Sequence, residues 1–317
     1  MISTNISYTI KNIELNHDFK IGNFNFTRVE GYDDIIKKMK EEKTDYITFT
    51  ATSNITGKDV NEIKLTIENR DSEIDQINWL LSFSQGIRIS RTSHNISPKI
   101  QGLPSGYFFG TKSAKFPKER IIDEKDVIGF LNQMETKISD PNFLKMNNLL
   151  FPMAFYLAGI EDNMLTNCFI FPYISLESLV LYNTDEFIYG HDKLPSGLTS
   201  EIEQVLINHS SFEKLSQKRK DELLKKISEL KRRPIGDRIN EFIEDNNIDF
   251  KDYDYDIRTI LNVRNKIFHR AEHIESKILV ECMKNLRSLV VRSILSKLEY
   301  DGEYLEITKG FKRIKFP

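Results

Sequence analysis

Apolar and polar residues alternate in the first part of the chain and recur at helical spacing in the second. Ile6-Ser7-Tyr8-Thr9-Ile10, Phe24-Asn25-Phe26-Thr27, Tyr46-Ile47-Thr48-Phe49-Thr50 and Ile63-Lys64-Leu65-Thr66-Ile67 carry β-branched or aromatic residues in alternation. That is the pattern of strands with one buried face, and it predicts an antiparallel sheet. Between them Tyr32 to Lys43 reads as a short polar helix, and Ser72 to Phe83 as another with Ile74, Ile77, Leu80 and Leu81 on its face. Gly86, Pro98, Gly102, Pro104, Gly106 and Gly110 punctuate Ser84 to Lys118 into loops and short strands. The N-terminal region, residues 1–140, is thus expected to be an α+β domain with an antiparallel sheet.

Around Ser139-Asp140-Pro141-Asn142 the pattern changes to long apolar periodicities. Helices are predicted at about Asn142 to Gly159, Leu165 to Tyr182, Ser200 to Ile207, Phe212 to Lys231, Ile235 to Asp245, Asp256 to His269 and Ile274 to Glu299. Joined by short loops, they make an all-α bundle over residues 141–300. The remaining residues, 301–317, alternate weakly and carry Lys309, Lys312, Arg313 and Lys315, as a final strand or a basic tail would.

Composition narrows the classes. With 317 residues the chain is long enough for two cores, and 39% apolar with 29% charged residues is the balance of a globular protein. Lys and Arg number 45 against 47 Asp and Glu, a net charge of −2, so attraction to nucleic acid must come from a local patch. Met1 to Lys11 lack the basic start and apolar core of a secretory signal. The longest apolar runs, Leu149 to Ile160 and Cys168 to Tyr182, are interrupted by proline or glutamate and fall short of a membrane span. A cytoplasmic protein without membrane contact is expected. Cys168 and Cys282 lie in apolar helical stretches and read as buried thiols.

The chemistry concentrates in Asp256 to His269, DIRTILNVRNKIFH. Its acidic start caps and complements a helix N-terminus. At 100° per residue Ile257, Ile260, Leu261, Ile267 and Phe268 form an apolar stripe with Arg264 inside it. A guanidinium so placed needs a carboxylate, a phosphate or a second subunit. Asn265 and His269, four apart, are neighbours at the stripe's edge beside Arg258 and Asn262. Histidine can move protons near neutral pH and arginine can neutralise charge on a phosphate, which suffices in principle for phosphodiester cleavage without a metal.

The string Arg264-Asn265-Lys266-Ile267-Phe268-His269 resembles the arginine, polar residue, three variable residues, histidine motif of the HEPN superfamily, the higher eukaryotes and prokaryotes nucleotide-binding domains. The ApeA-like branch of prokaryotic defence proteins is the most similar. The resemblance covers the helical bundle alone. It implies a metal-independent endoribonuclease acting as an antiviral defence (abortive infection) or toxin effector. It also implies a homodimer in which two motifs share a cleft on RNA. Carried over by position, the catalytic residues are Arg264, Asn265 and His269. The N-terminal domain would then sense an activator or inhibitor. The alternative is a non-catalytic HEPN-like module that binds nucleotide or RNA as a dimer.

Glu177 is the sole charge on an otherwise apolar segment, Ile170 to Tyr182, and is the expected partner of Arg264, either as an orienting group or as a structural ion pair. The basic run ending in Lys231, Arg232 and Arg233 is either a solvated helix face or an RNA contact. His269 and His273 have the spacing of a metal pair but no third ligand, and Gly102 and Gly106 lack the context of a phosphate loop, so neither metal nor cofactor is implied. His17, His94, His191 and His209 fall in apparent loops or polar surfaces.

Overall fold

The computed structural model describes residues 1–100, 103, 106–107, 119–181, 197–229, 234–250, 255–270, 272 and 274–316. Strand β1 (Ile2–Lys11) buries its even positions, Ile6, Tyr8 and Ile10, and pairs antiparallel with two neighbours. The others are β2 (Phe19–Ile21), β3 (Phe24–Arg28) and, after helix α1 (Tyr32–Glu42), β4 (Ile47–Gly57). Helix α2 (Val60–Gln85) then leads to β5 (Ser90–Ser97) and β6 (Gly106–Tyr107). The sheet order is β2-β3-β4-β1-β5-β6, every pair antiparallel. This is the expected sheet, with one exchange of element.

Ile63 to Ile67 is not a strand. It is the start of α2, where Asp59 accepts hydrogen bonds from the backbone N–H of Asn61 and Glu62 at 2.9 Å each. Local alternation through Leu65 mimics a strand, yet Leu65 is 60% exposed. The buried set is Ile63, Ile67, Ile74, Ile77 and Leu81, at heptad-like helical spacing. Helix α2 covers one face of the sheet and is itself covered from the other side, so it buries polar groups as well. Among these, Gln76 donates to the Asp140 carbonyl at 2.7 Å and accepts from the Leu144 N–H at 2.9 Å.

Gly86 ends α2 at φ +63°, and a Cβ there would lie 2.1 Å from the carbonyl oxygen of Glu119. Gly86→Ala therefore combines left-handed strain with a backbone clash, and is expected to destabilise the fold by at least about 1–3 kcal/mol. A urea titration with an unshifted midpoint would contradict this.

The helical half begins earlier than the sequence pattern indicates, with α3 (Val127–Ile138). The predicted Asn142–Gly159 helix divides into α4 (Phe143–Met146) and α5 (Leu150–Glu161), because Asn148 turns the backbone at φ 50°. Helix α6 (Leu165–Val180) crosses α5 closely. A Cβ on Gly159 would lie 2.6 Å from Pro172 Cδ, so only hydrogen fits at this crossing. Then follow α7 (Leu198–Ile207), α8 (Ser210–Glu213), α9 (Gln217–Glu229), α10 (Ile235–Asp245), α11 (Ile257–Asn265) and α12 (Ser276–Lys297).

Helix α12 is buried along most of its length and packs on α5, α6 and α11. Its Arg287 donates to Glu119 Oε2 at 2.6 Å and to the Gly159 carbonyl at 2.8 Å. Buried side chains from the sheet and from the helices form one contiguous cluster. No helix among the described residues is long and apolar enough to cross a membrane.

The tail is a hairpin of β7 (Glu303–Glu306) and β8 (Lys312–Lys315), fixed at Glu306. That carboxylate is fully buried. It accepts from Ser288 Oγ at 2.7 Å, Tyr304 OH at 2.8 Å, Arg292 Nη2 at 3.1 Å and Arg292 Nε at 3.2 Å. Its other oxygen accepts from the Thr308 N–H at 2.9 Å and hydroxyl at 2.8 Å. Burial pushes the Glu306 carboxyl up, but the Thr308 N–H and the surrounding hydroxyls outweigh it and hold it below the usual carboxylate range.

Candidate active site

Helix α11 starts where Asp256 accepts from the Thr259 N–H at 2.8 Å and hydroxyl at 2.7 Å. Ile257, Ile260 and Val263 anchor it in the core. It stays α-helical only to Asn265 and passes into a π-helical turn over Lys266–Arg270. The widening decides which side chains meet. In a regular α-helix, residues five apart diverge by about 140° around the axis. A π turn, closing through i→i+5, rotates less per residue and brings positions five apart toward the same face. Arg264 and His269 have that spacing.

They touch. Arg264 Nη1 lies 3.0 Å from His269 Nε2 and 3.1 Å from Asn265 Oδ1. A guanidinium only donates, so the first contact requires Nε2 to carry the lone pair and the ring proton to sit on Nδ1. The Asn265 amide, held by its oxygen, keeps its N–H groups for a ligand.

Glu177 Oε1 on α6 is 3.6 Å from Arg264 Nη2, and the two side chains are 26% and 24% exposed. The Arg264 guanidinium also lies over the Tyr173 ring at 5.4 Å and the Phe268 ring at 5.0 Å. Tyr173 is fully buried, with its hydroxyl beside the Glu177 carboxylate. Burial, and next to it the Glu177 charge, raise the Tyr173 hydroxyl far above its ordinary value, so it keeps its proton. Among the described residues Arg264 Nε has no hydrogen-bond partner, as Arg287 Nε has none beside its closed pair with Glu119; Arg264 differs in having a long ion pair on one side and an imidazole on the other.

The expected site residues Arg264, Asn265, His269 and Glu177 therefore converge at the junction of α11 and α6. Lys231, Arg232, Arg233 and His273 lie outside the described residues. Two side chains depart from expectation. Phe268 leaves the apolar stripe, which Val263 fills instead, and is 46% exposed. His94 is not at a polar surface: it is 7% exposed on β5, facing Tyr8 and Asp71. Cys282 is buried as expected and Cys168 only half-buried. Tyr173 had no signal beyond its place one turn before Glu177. Among the described residues, no three His, Cys, Asp or Glu side chains group as metal ligands do.

Glu177→Gln is expected to cost under about 1 kcal/mol of stability, because the pair is long and partly solvated. A large loss of melting temperature would make the pair structural instead. Comparison of the chain with protein-family models, curated proteins and solved structures finds no match.

Proposed function

We propose that this protein is a metal-independent endoribonuclease of HEPN type. The observation that carries the reading is the contact of Arg264 Nη1 with His269 Nε2 at 3.0 Å on an exposed helix end, with Asn265 on the same guanidinium. An RNA phosphate competes for Arg264 and draws the guanidinium from the imidazole, which exposes the Nε2 lone pair. His269 then takes the proton of the 2′-hydroxyl. The freed oxygen attacks phosphorus, and Arg264 neutralises the charge that builds on the phosphoryl oxygens. The bond to the 5′-oxygen breaks, and that oxygen leaves with a proton returned by the imidazolium. The products are a 2′,3′-cyclic phosphate and a 5′-hydroxyl. DNA lacks the attacking group.

By the resemblance, two subunits form a homodimer whose motifs face one another over the RNA. The N-terminal sheet region receives an activator or inhibitor, and the physiological setting is a cytoplasmic antiviral or toxin response. The test is incubation of labelled structured RNA with the protein in EDTA, beside His269→Ala and Arg264→Ala. The reading expects cleavage by the unsubstituted protein alone. RNA left whole by it, but bound as tightly by His269→Ala, would make this a non-catalytic binding module.

A further inference from the structure

Phe268 is the one side chain of the motif that exposes a large apolar surface, 46% of it, beside groups that are otherwise polar. It sits in the π turn over Lys266–Arg270, on a helix end that leaves the core after Val263, with its ring 5.0 Å from the Arg264 guanidinium and one residue before His269. Exposing a phenyl ring to water is unfavourable unless something covers it. Away from this point, Arg258, Asn262 and Lys266 are exposed at four-residue steps along the same helix, a polar and basic strip without an acidic member.

We infer that Phe268 is a base-stacking platform. The base beside the scissile phosphate lies on its ring while Arg258, Asn262 and Lys266 follow the phosphates leading away. The inference rests on the ribonuclease reading and adds what that reading lacks, a reason to select an unpaired nucleotide. A base inside a duplex has both faces taken by its neighbours, whereas a splayed base stacks on an aromatic side chain irrespective of its hydrogen-bonding edge. Phe268 acts here as a specificity residue: it takes no part in proton transfer.

The experiment maps the cleavage position in a single-stranded RNA, then places 2-aminopurine on either side of it with a 2′-deoxy nucleotide at the attacking position to block cleavage. Binding is read by anisotropy and stacking by quenching of the 2-aminopurine. The full-length protein is expected to quench one of the two positions. Phe268→Ala should lose that quenching and raise KM roughly five- to a hundredfold, and Phe268→Trp should retain both. If the protein cleaves and binds but the probe stays bright, or if Phe268→Ala quenches as the unsubstituted protein does, the platform is refuted while the ribonuclease stands. If the protein neither binds nor cleaves RNA, both are refuted.

Discussion

If the proposed ribonuclease mechanism holds, His269→Ala is expected to lower RNA cleavage about 10²–10⁴-fold, the usual contribution of a positioned acid–base group, and to leave the melting temperature essentially unchanged. The imidazole is exposed and meets Arg264 Nη1 at 3.0 Å, so its loss strands no buried group. Arg264→Ala should fall about as far, by loss of the charge that meets the phosphate. Arg264→Lys should rescue little of it. A lysine is a point charge, whereas the guanidinium reaches Asn265 and His269 with Nη1 and Glu177 with Nη2. Initial rates and thermal melts on the same preparations check this. Equal rates for His269→Ala and the parent would remove the imidazole from the mechanism.

Glu306→Ala is expected to be the most damaging single change to the fold, about 3–5 kcal/mol, the range for breaking a buried ion pair. The loss removes the buried carboxylate to which Arg292, itself 7% exposed, and the Ser288 and Tyr304 hydroxyls donate. The β7–β8 hairpin then loses this anchor on α12. Glu306→Gln should recover part of the loss. Acid gives an independent check. The Glu306 carboxyl is held below its ordinary value in the fold, so its contribution is present above the unfolded-state value near about 4 and lost as pH falls below it. Denaturation midpoints should drop in acid more steeply for the parent than for Glu306→Gln. Parallel curves would deny Glu306 this role.

How legible the protein was in its sequence depends on the range over which each residue's environment is set. The β1 alternation and the helices around Ile235 and Ile274 were readable because one buried face repeats at a fixed period. Glu177 was readable as the partner of Arg264 because a lone carboxylate on an apolar helix must meet a cation, and the cation with the same need sat on another helix. Ile63–Ile67 misled because five residues fit both periods, and only the continuation to Ile74, Ile77 and Leu81 separates helix from strand. Helix α3 was missed because its polar positions sit between apolar ones that tertiary contacts bury. The π turn was invisible: Lys266–Arg270 contains no glycine or proline, and its widening is a feature of backbone geometry alone. Arg264 meets His269 across that turn and Phe268 is exposed on it, so the identity of the site residues was readable and their mutual contact was not.

We propose cleavage by attack of a 2′-hydroxyl under the control of Arg264 and His269. Its most direct test is a DNA strand carrying a single ribonucleotide, incubated with the protein in EDTA and analysed by mass spectrometry. A cut solely on the 3′ side of the ribonucleotide, ending in a 2′,3′-cyclic phosphate and absent with His269→Ala, is the predicted result; an intact strand, or cutting at deoxynucleotides as well, would contradict the account.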